Sequence, residues 1–316
     1  MKIVSLKRLG DIENELVAKY PDISFSFYDK ANSILDNEKK ELDVLIGYDG
    51  NIDERFIRSC PNLKWIAWFA TGVNNLPLEC IKKKGITLTN TRGIQSKQLS
   101  EYILTFILDD HKKMKTSFIN QQKHIYDSTL TGKRLKDETI LFLGTGAIAQ
   151  DTVKLLTPFN LKIIGVSKTG KHKEGFNQTY EMNELDKLLE EADIIVNTLP
   201  ETEETYHLLN KHHFHLMKKN TLFINVGRGT IIEEQNLIEL LREKLIRHAY
   251  LDVFENEPLG SEHPLYDLDN VTITAHITGN DKENKKEATE MFERNLNHFL
   301  NKEEISENVV NLKDGY

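Results

Sequence analysis

Short apolar runs rich in Val, Ile, Phe and Trp recur through the first third of the chain. They are "KIVSL" from residue 2, "ISFSFY" from 23, "DVLIGY" from 43, "KWIAWFA" from 64 and "ITLTN" from 86. Charged or amphipathic stretches separate them, which predicts parallel strands joined by helical crossovers. A second set opens with "TILFLG" at 139 and continues with "LKIIGV" at 161, "DIIVNTL" at 193, "TLFINV" at 221, "HAYLDVF" at 248 and "VTITAH" at 271. Helical patterns such as "MNELDKLLEEA" and "EQNLIELLREKL" lie between these runs. The alternation predicts an α/β fold with two doubly wound parallel-sheet units in one chain. Two longer stretches, from 97 and from 285, carry apolar residues at helical spacing and suit the segments between the units. If the second returns to the first domain, that domain is discontinuous. No repeat at solenoid period, low-complexity segment or Pro/Gly linker interrupts the pattern.

Composition narrows the function classes. At 316 residues the chain exceeds the size at which a single core keeps growing. Its 41 basic and 49 acidic residues give a net charge of −8, which repels nucleic acid and anionic membrane surfaces. No apolar run approaches the roughly 18 residues of a membrane span, and "MKIVSLKRLG" is too broken by charge for a secretory signal, so a cytoplasmic protein is expected. Cys60 and Cys80 lack metal-ligand spacing and read as core thiols. His207, His212, His213 and His215 crowd one segment, but spacings of one and two do not stack them on a helix face and no nearby Cys or Asp completes a site. No metal is expected. Trp65, Trp68 and Phe69 read as core, with Trp68 and Phe69 close enough to the following loop to shape it.

The stretch "TILFLGTGAIAQDTVKLL" holds a G-x-G-x-x-A pattern that follows a strand and opens a helix, the context in which it marks a dinucleotide site. Gly144 allows the tight turn, Gly146 lets backbone approach a pyrophosphate, and Ala149 replaces the third glycine. The helix start at Ala147 and Ile148 offers N–H groups and a positive dipole end to phosphates. An acid is expected after the next strand to bind the ribose hydroxyls of NAD. Here Ser167, Lys168, Thr169, Gly170 and Lys171 stand there instead, a set that suits the 2′-phosphate of NADP(H), although NAD(H) is also possible.

Three downstream segments place polar groups at strand ends, where open α/β sheets bind ligands. "FINVGRGTII" offers Arg228, with flanking glycines expected to turn the backbone sharply and leave the guanidinium to fork onto a carboxylate. "YLDVFENEPL" offers Asp252, Glu255 and Glu257, and "TITAHITG" offers His276. Each alone also fits a solvated turn or strand end. Together, an arginine, a carboxylate and a histidine can interconvert a keto acid and a hydroxy acid: arginine anchors the substrate, histidine exchanges the proton and the carboxylate fixes its tautomer.

In this order and spacing "GTGAIA", "NVGRGTII", "LDVFENEPL…HPLY" and "TAHITG", together with "FATGVNNLPLECIKKKGITLTNTRG" and "QLSEYILTFIL", resemble the D-isomer-specific 2-hydroxyacid dehydrogenase family across nearly the whole chain. The resemblance implies a flavodoxin-like substrate domain of residues 1–97 and 283–316, interrupted by a Rossmann cofactor domain of 98–282, and a homodimer through the central domain. It implies that Arg228 binds substrate, that Glu257 partners the histidine and that His276 is the acid/base. The backbone of Ala70, Thr71, Gly72 and Val73 would hold the substrate carboxylate. Asp252 would bond the nicotinamide carboxamide, and Leu199, Pro200, Thr205, Val226, Gly227 and Gly279 would line the cofactor. Asn74 stands where an aspartate is common and Ala275 where a proline is common. The missing acid after the second Rossmann strand resembles the NADPH-preferring glyoxylate/hydroxypyruvate reductase branch. The expected activity is hydride transfer between the nicotinamide and a small 2-oxo or D-2-hydroxy acid. The alternatives are a dinucleotide sensor without turnover on the same fold, and a nucleotide-binding transferase, which would leave Arg228 and His276 without a role.

Overall fold

The computed structural model describes residues 1–302, 304–305 and 307–313. It divides into two compact units, one of residues 1–94 and 281–316, the other of residues 95–280. The first unit holds five parallel strands: β1 (Lys2–Ser5), β2 (Ser24–Phe27), β3 (Leu42–Gly47), β4 (Trp65–Trp68) and β5 (Thr87–Thr89), in the order β2-β1-β3-β4-β5. This is the flavodoxin-like order. Side chains alternate between its two faces as a pleated strand requires. Val4, Leu45, Ile66, Trp68 and Leu88 share one apolar layer, while Ile3, Val44, Ile46, Trp65 and Ala67 share the other. The second layer is closed by the helix Asn284–Leu300, which contributes Ala288, Phe292 and Leu296. The stretch from 285 thus returns to the first unit and makes it discontinuous.

The second unit carries seven parallel strands: β6 (Thr139–Leu143), β7 (Lys162–Ser167), β8 (Gln178–Glu181), β9 (Ile194–Asn197), β10 (Leu222–Asn225), β11 (His248–Leu251) and β12 (Val271–Ile273). Their order is β12-β11-β10-β9-β6-β7-β8, so the sheet reverses direction between β6 and β9, the crevice where doubly wound sheets bind dinucleotides. Leu141, Ile164, Ile195, Phe223 and Ala249 point to one apolar layer; Ile140, Phe142, Ile163, Ile194 and Ile224 point to the other. Both faces are covered, and this is why β9 and β10 read as near-continuous apolar runs. The helix Ser96–Lys112 belongs to this unit and adds Leu99, Ile103, Phe106 and Ile107 to the second layer. Each of the eleven apolar runs read as strands contains one. β8 is the addition, a short strand paired only to β7 whose residues are exposed or half-buried, so no apolar run announces it.

Cys60 and Cys80 are buried free thiols, and Trp65, Trp68 and Phe69 are buried. Among the described residues no helix is long and apolar enough to cross a membrane.

Candidate active site

The glycine turn closes β6 as the dinucleotide pattern requires. Gly144 sits at φ +94°, and a Cβ there would lie 2.9 Å from Thr198 Oγ1, so a side chain is excluded twice over. Gly146 occupies the cap position of the ten-residue helix Ala147–Leu156, with no side chain capping it and no heavy atom within 4 Å of where its Cβ would stand. The first-turn N–H groups, those of Ala147 and Ile148 included, have no intrahelical acceptor. A pyrophosphate fits such a cradle. Ala149 is fully buried against the sheet, where a small residue lets helix and strand approach. At the end of β7, Ser167 is half-buried, while Lys168 and Thr169 are exposed.

Facing loops are tied together beneath the crevice. Asn197 ends β9 and Asn225 ends β10, both buried. Asn197 Nδ2 donates to Asn225 Oδ1 at 2.8 Å. Asn197 Oδ1 accepts from Leu199 N at 3.1 Å, Asn225 Oδ1 accepts from Gly227 N at 3.2 Å, and Asn225 Nδ2 donates to Arg228 O at 3.1 Å. The loops carrying Leu199 and Pro200 and carrying Val226, Gly227 and Arg228 are therefore one hydrogen-bonded body. Thr205 Oγ1 donates to Pro200 O at 2.7 Å and closes the first of them.

Arg228, Glu257 and His276 line one cleft of about 200 Å³ together with Glu201, Thr230 and Glu255. His276 Nδ1 lies 2.7 Å from Glu257 Oε2, and Glu257 Oε1 accepts from Phe254 N at 3.0 Å, so the carboxylate is itself aimed. The imidazole is half exposed and lines the cleft. Asp252, only 1% exposed, pins the loop behind His276. Its Oδ1 accepts from Thr274 Oγ1 at 2.6 Å and Ile277 N at 3.0 Å; its Oδ2 accepts from Thr278 Oγ1 at 2.6 Å and Thr278 N at 3.2 Å. These four bonds fill a carboxylate's acceptor capacity. Gly279 ends the loop against Gln95. In the first unit, the loop Ala70–Val73 follows β4 and is fixed by Trp68 Nε1 donating to Gly72 O at 2.9 Å, Asn90 Nδ2 to Thr71 O at 2.8 Å and Thr91 N to Ala70 O at 3.2 Å.

Comparison with known proteins shows the family. The family model described as "D-isomer specific 2-hydroxyacid dehydrogenase, NAD binding domain" matches residues 104–278. The chain belongs to the D-isomer-specific 2-hydroxyacid dehydrogenase family. A glyoxylate reductase of Thermofilum pendens is 34% identical over 253 residues, covering 78% of this chain and 74% of the relative. The crystal structure of a D-isomer specific 2-hydroxyacid dehydrogenase family protein from Aeromonas salmonicida superposes with a TM-score of 0.87 at 28% identity, covering 98% of this chain and 99% of that one. A probable 2-hydroxyacid dehydrogenase from Rhizobium etli, solved with NADP, HEPES and L(+)-tartaric acid, superposes with a TM-score of 0.83 at 27% identity over 100% and 99% of the two chains. The protein is an NAD(P)-dependent 2-hydroxyacid dehydrogenase.

In this dehydrogenase the glycines flanking Arg228 serve a purpose other than the sharp turn the sequence suggests. Neither has a positive φ. A Cβ on Gly229 would lie 1.9 Å from the Phe254 carbonyl carbon, and one on Gly227 would lie 2.7 Å from Asn197 Nδ2. They are glycines because neighbouring chain passes against them. The guanidinium is also less free than expected, since Nη1 donates to Gly227 O at 2.7 Å. The histidine-rich segment finds acids from distant sequence: His212 Nε2 is 3.1 Å from Asp186 Oδ2, and His207 Nε2 is 2.9 Å from Glu255 Oε1. Among the described residues no group of three or more His, Cys, Asp or Glu is arranged to hold a metal ion. The dehydrogenase's Asn197 and Asn225 were not singled out in sequence; the signal was a polar amide closing an otherwise apolar run, in "IIVN" and "LFIN".

Proposed function

We propose that this dehydrogenase reduces a small 2-oxo acid of the glyoxylate or hydroxypyruvate type to the corresponding D-2-hydroxy acid, with NADPH as the favoured reductant. The observation that carries the reading is the 2.7 Å contact between His276 Nδ1 and Glu257 Oε2 in the cleft shared with Arg228. A bound reduced nicotinamide supplies the hydride that C2 of the substrate receives. Arg228 binds the substrate's carboxylate and polarises its carbonyl. Glu257 holds the Nδ1 proton, which fixes the tautomer and leaves Nε2 to give its proton to the oxygen that becomes the hydroxyl. Asp252 acts by positioning the His276 loop. Its four occupied acceptor sites favour this over the nicotinamide contact that the family resemblance implies.

Gly144, Gly146, Ala147 and Ile148 would hold the pyrophosphate, and Leu199, Pro200, Thr205, Val226, Gly227 and Gly279 would line the nicotinamide half. Ser167, Lys168 and Thr169 support NADPH because no carboxylate stands at the end of β7, and the Rhizobium relative was solved with NADP. Large exposed side chains on the helix Met114–Gln122 and just beyond it, Phe118 at 61% and Tyr126 at 95%, support a homodimer through the central unit. Two buried free thiols fit a cytoplasmic enzyme.

The test is oxidation of NADPH and of NADH with glyoxylate, hydroxypyruvate, pyruvate and longer 2-oxo acids. Turnover favouring NADPH and the smallest acids is expected. Turnover favouring NADH would overturn the cofactor preference alone, and dinucleotide binding without turnover on any acid would overturn the reductase reading in favour of a sensor.

A further inference from the structure

Doubly wound sheets place the group that reads the adenosine ribose at the end of the strand after the glycine turn. In this chain that position is the turn after β7, and Lys168 occupies it. The turn is fixed from behind: Thr179 Oγ1 on β8 donates to Gly170 O at 2.9 Å, and Gly170, at φ +58°, packs directly on Glu181. Sequence supplies no acid directly after β7, but the fold brings one from elsewhere. Glu204 Oε1 lies 2.8 Å from Lys168 Nζ, across 36 residues of sequence. Glu204 is presented by an ordered loop, because Thr202 N donates to Thr205 Oγ1 at 2.8 Å and Thr205 Oγ1 donates to Pro200 O at 2.7 Å. The bond from Lys168 holds the Glu204 carboxyl below its ordinary range, so it stays anionic.

The two partners suit different cofactors. A carboxylate at the ribose accepts from a 2′-hydroxyl and repels a 2′-phosphate; an ammonium does the reverse. The pair is exposed, with side chains 66% and 69% accessible, so solvent screens it and a dianionic phosphate competes readily with a monoanionic carboxylate for the lysine. We propose that Lys168 and Glu204 act as a two-sided selector, Glu204 accepting from the ribose hydroxyl of NAD(H) and Lys168 turning from Glu204 to the 2′-phosphate of NADP(H). This rests on the reading of the central unit as the cofactor site. It makes the preference for NADPH a balance set by two loops rather than by the residues after β7 alone.

The test is calorimetric binding of adenosine 2′,5′-bisphosphate and of 5′-AMP, which differ only in the 2′-phosphate, to the full chain and to Lys168→Gln and Glu204→Gln. Both positions are exposed, and circular dichroism checks that both variants fold. Removing the Glu204 charge is expected to tighten the bisphosphate roughly threefold or more and to weaken 5′-AMP, an effect that shrinks as salt is raised. Removing the Lys168 charge is expected to weaken the bisphosphate roughly tenfold while 5′-AMP holds or improves. The kcat/KM values for NADPH and NADH should move in the same directions. If Glu204→Gln leaves the ratio of the two affinities unchanged while the unaltered protein binds both ligands, the selector is overturned and the cofactor site stands. If the unaltered protein binds neither ligand, the cofactor site falls and the selector with it.

Discussion

His276 adopts φ +53°, a left-handed conformation that costs a residue with a Cβ about 1 to 2 kcal/mol. The neighbouring bonds offset that cost: His276 N donates to Asp252 O at 2.8 Å, and the next two amides reach the Asp252 carboxylate. The strained residue is thereby held with its imidazole against Glu257. Replacing it by glutamine keeps a hydrogen-bonding group but removes the proton exchange, so kcat of His276→Gln is expected to fall about 10² to 10⁴-fold. Dinucleotide affinity, measured by fluorescence titration, is expected to stay unchanged; near-normal turnover would remove His276 from the role of acid. Arg228, Glu257 and His276 were legible in sequence because each follows an apolar run that could only be a strand, and strand ends carry chemistry in this class of fold. Their meeting in one cleft was implied by family resemblance alone, since 19 residues separate His276 from Glu257 and nothing local dictates the contact. Asn197 and Asn225 carry no such mark, because an amide at a strand end gains meaning only from a partner distant in sequence.

At the level of elements, two glycines of the second unit make opposite demands. Gly146 caps a helix over open space, so Gly146→Ala is expected to leave the unfolding midpoint nearly unchanged and to weaken dinucleotide binding by crowding the phosphate cradle. Gly229 is wedged against the backbone of Phe254, so Gly229→Ala must push two loops apart and is expected to destabilise the protein by about 1 to 3 kcal/mol or more, read by urea unfolding. Equal stability losses in the two variants would contradict this division. The strands themselves were readable from the sequence because a sheet covered on both faces writes unbroken apolar runs. β8 was not, because "QTYE" pairs on one side only and buries no residue fully, which leaves it the signature of a loop. Likewise the reason for Gly227 and Gly229 lies in the chain that passes beside them, which local sequence does not reveal.

Across the whole molecule, Glu138 and His248 are two of the points at which acid acts. Burial pushes the Glu138 carboxyl up, but hydrogen bonds from His111 and Lys133 prevail and hold it at about 2, against an ordinary 4.5. Its stabilising contribution is complete above 4.5 and is lost as pH falls toward 2. His248 is pushed down from 6.5 to about 3 by burial and by Lys115, Arg247 and Lys113, with Asp269 opposing. The unfolded chain takes up this proton below 6.5 while the folded chain refuses it, so stability again declines as pH falls from 6.5 toward 3. The urea midpoint at constant ionic strength is therefore expected to fall progressively below pH 6.5, and a midpoint constant down to about pH 4 would contradict the His248 assignment. The proposed dimer is testable at the same scale: Phe118→Asp with Tyr126→Asp should give a monomer by light scattering if that surface joins two copies, and an unchanged mass would place the interface elsewhere. The buried Asn197–Asn225 bond has a further consequence. The amide protons of Leu199 and Gly227 belong to loops, yet their acceptors are side chains anchored in the sheet. In deuterated solvent these two protons should exchange on the slow timescale of β9 and β10, released only when the sheet itself opens.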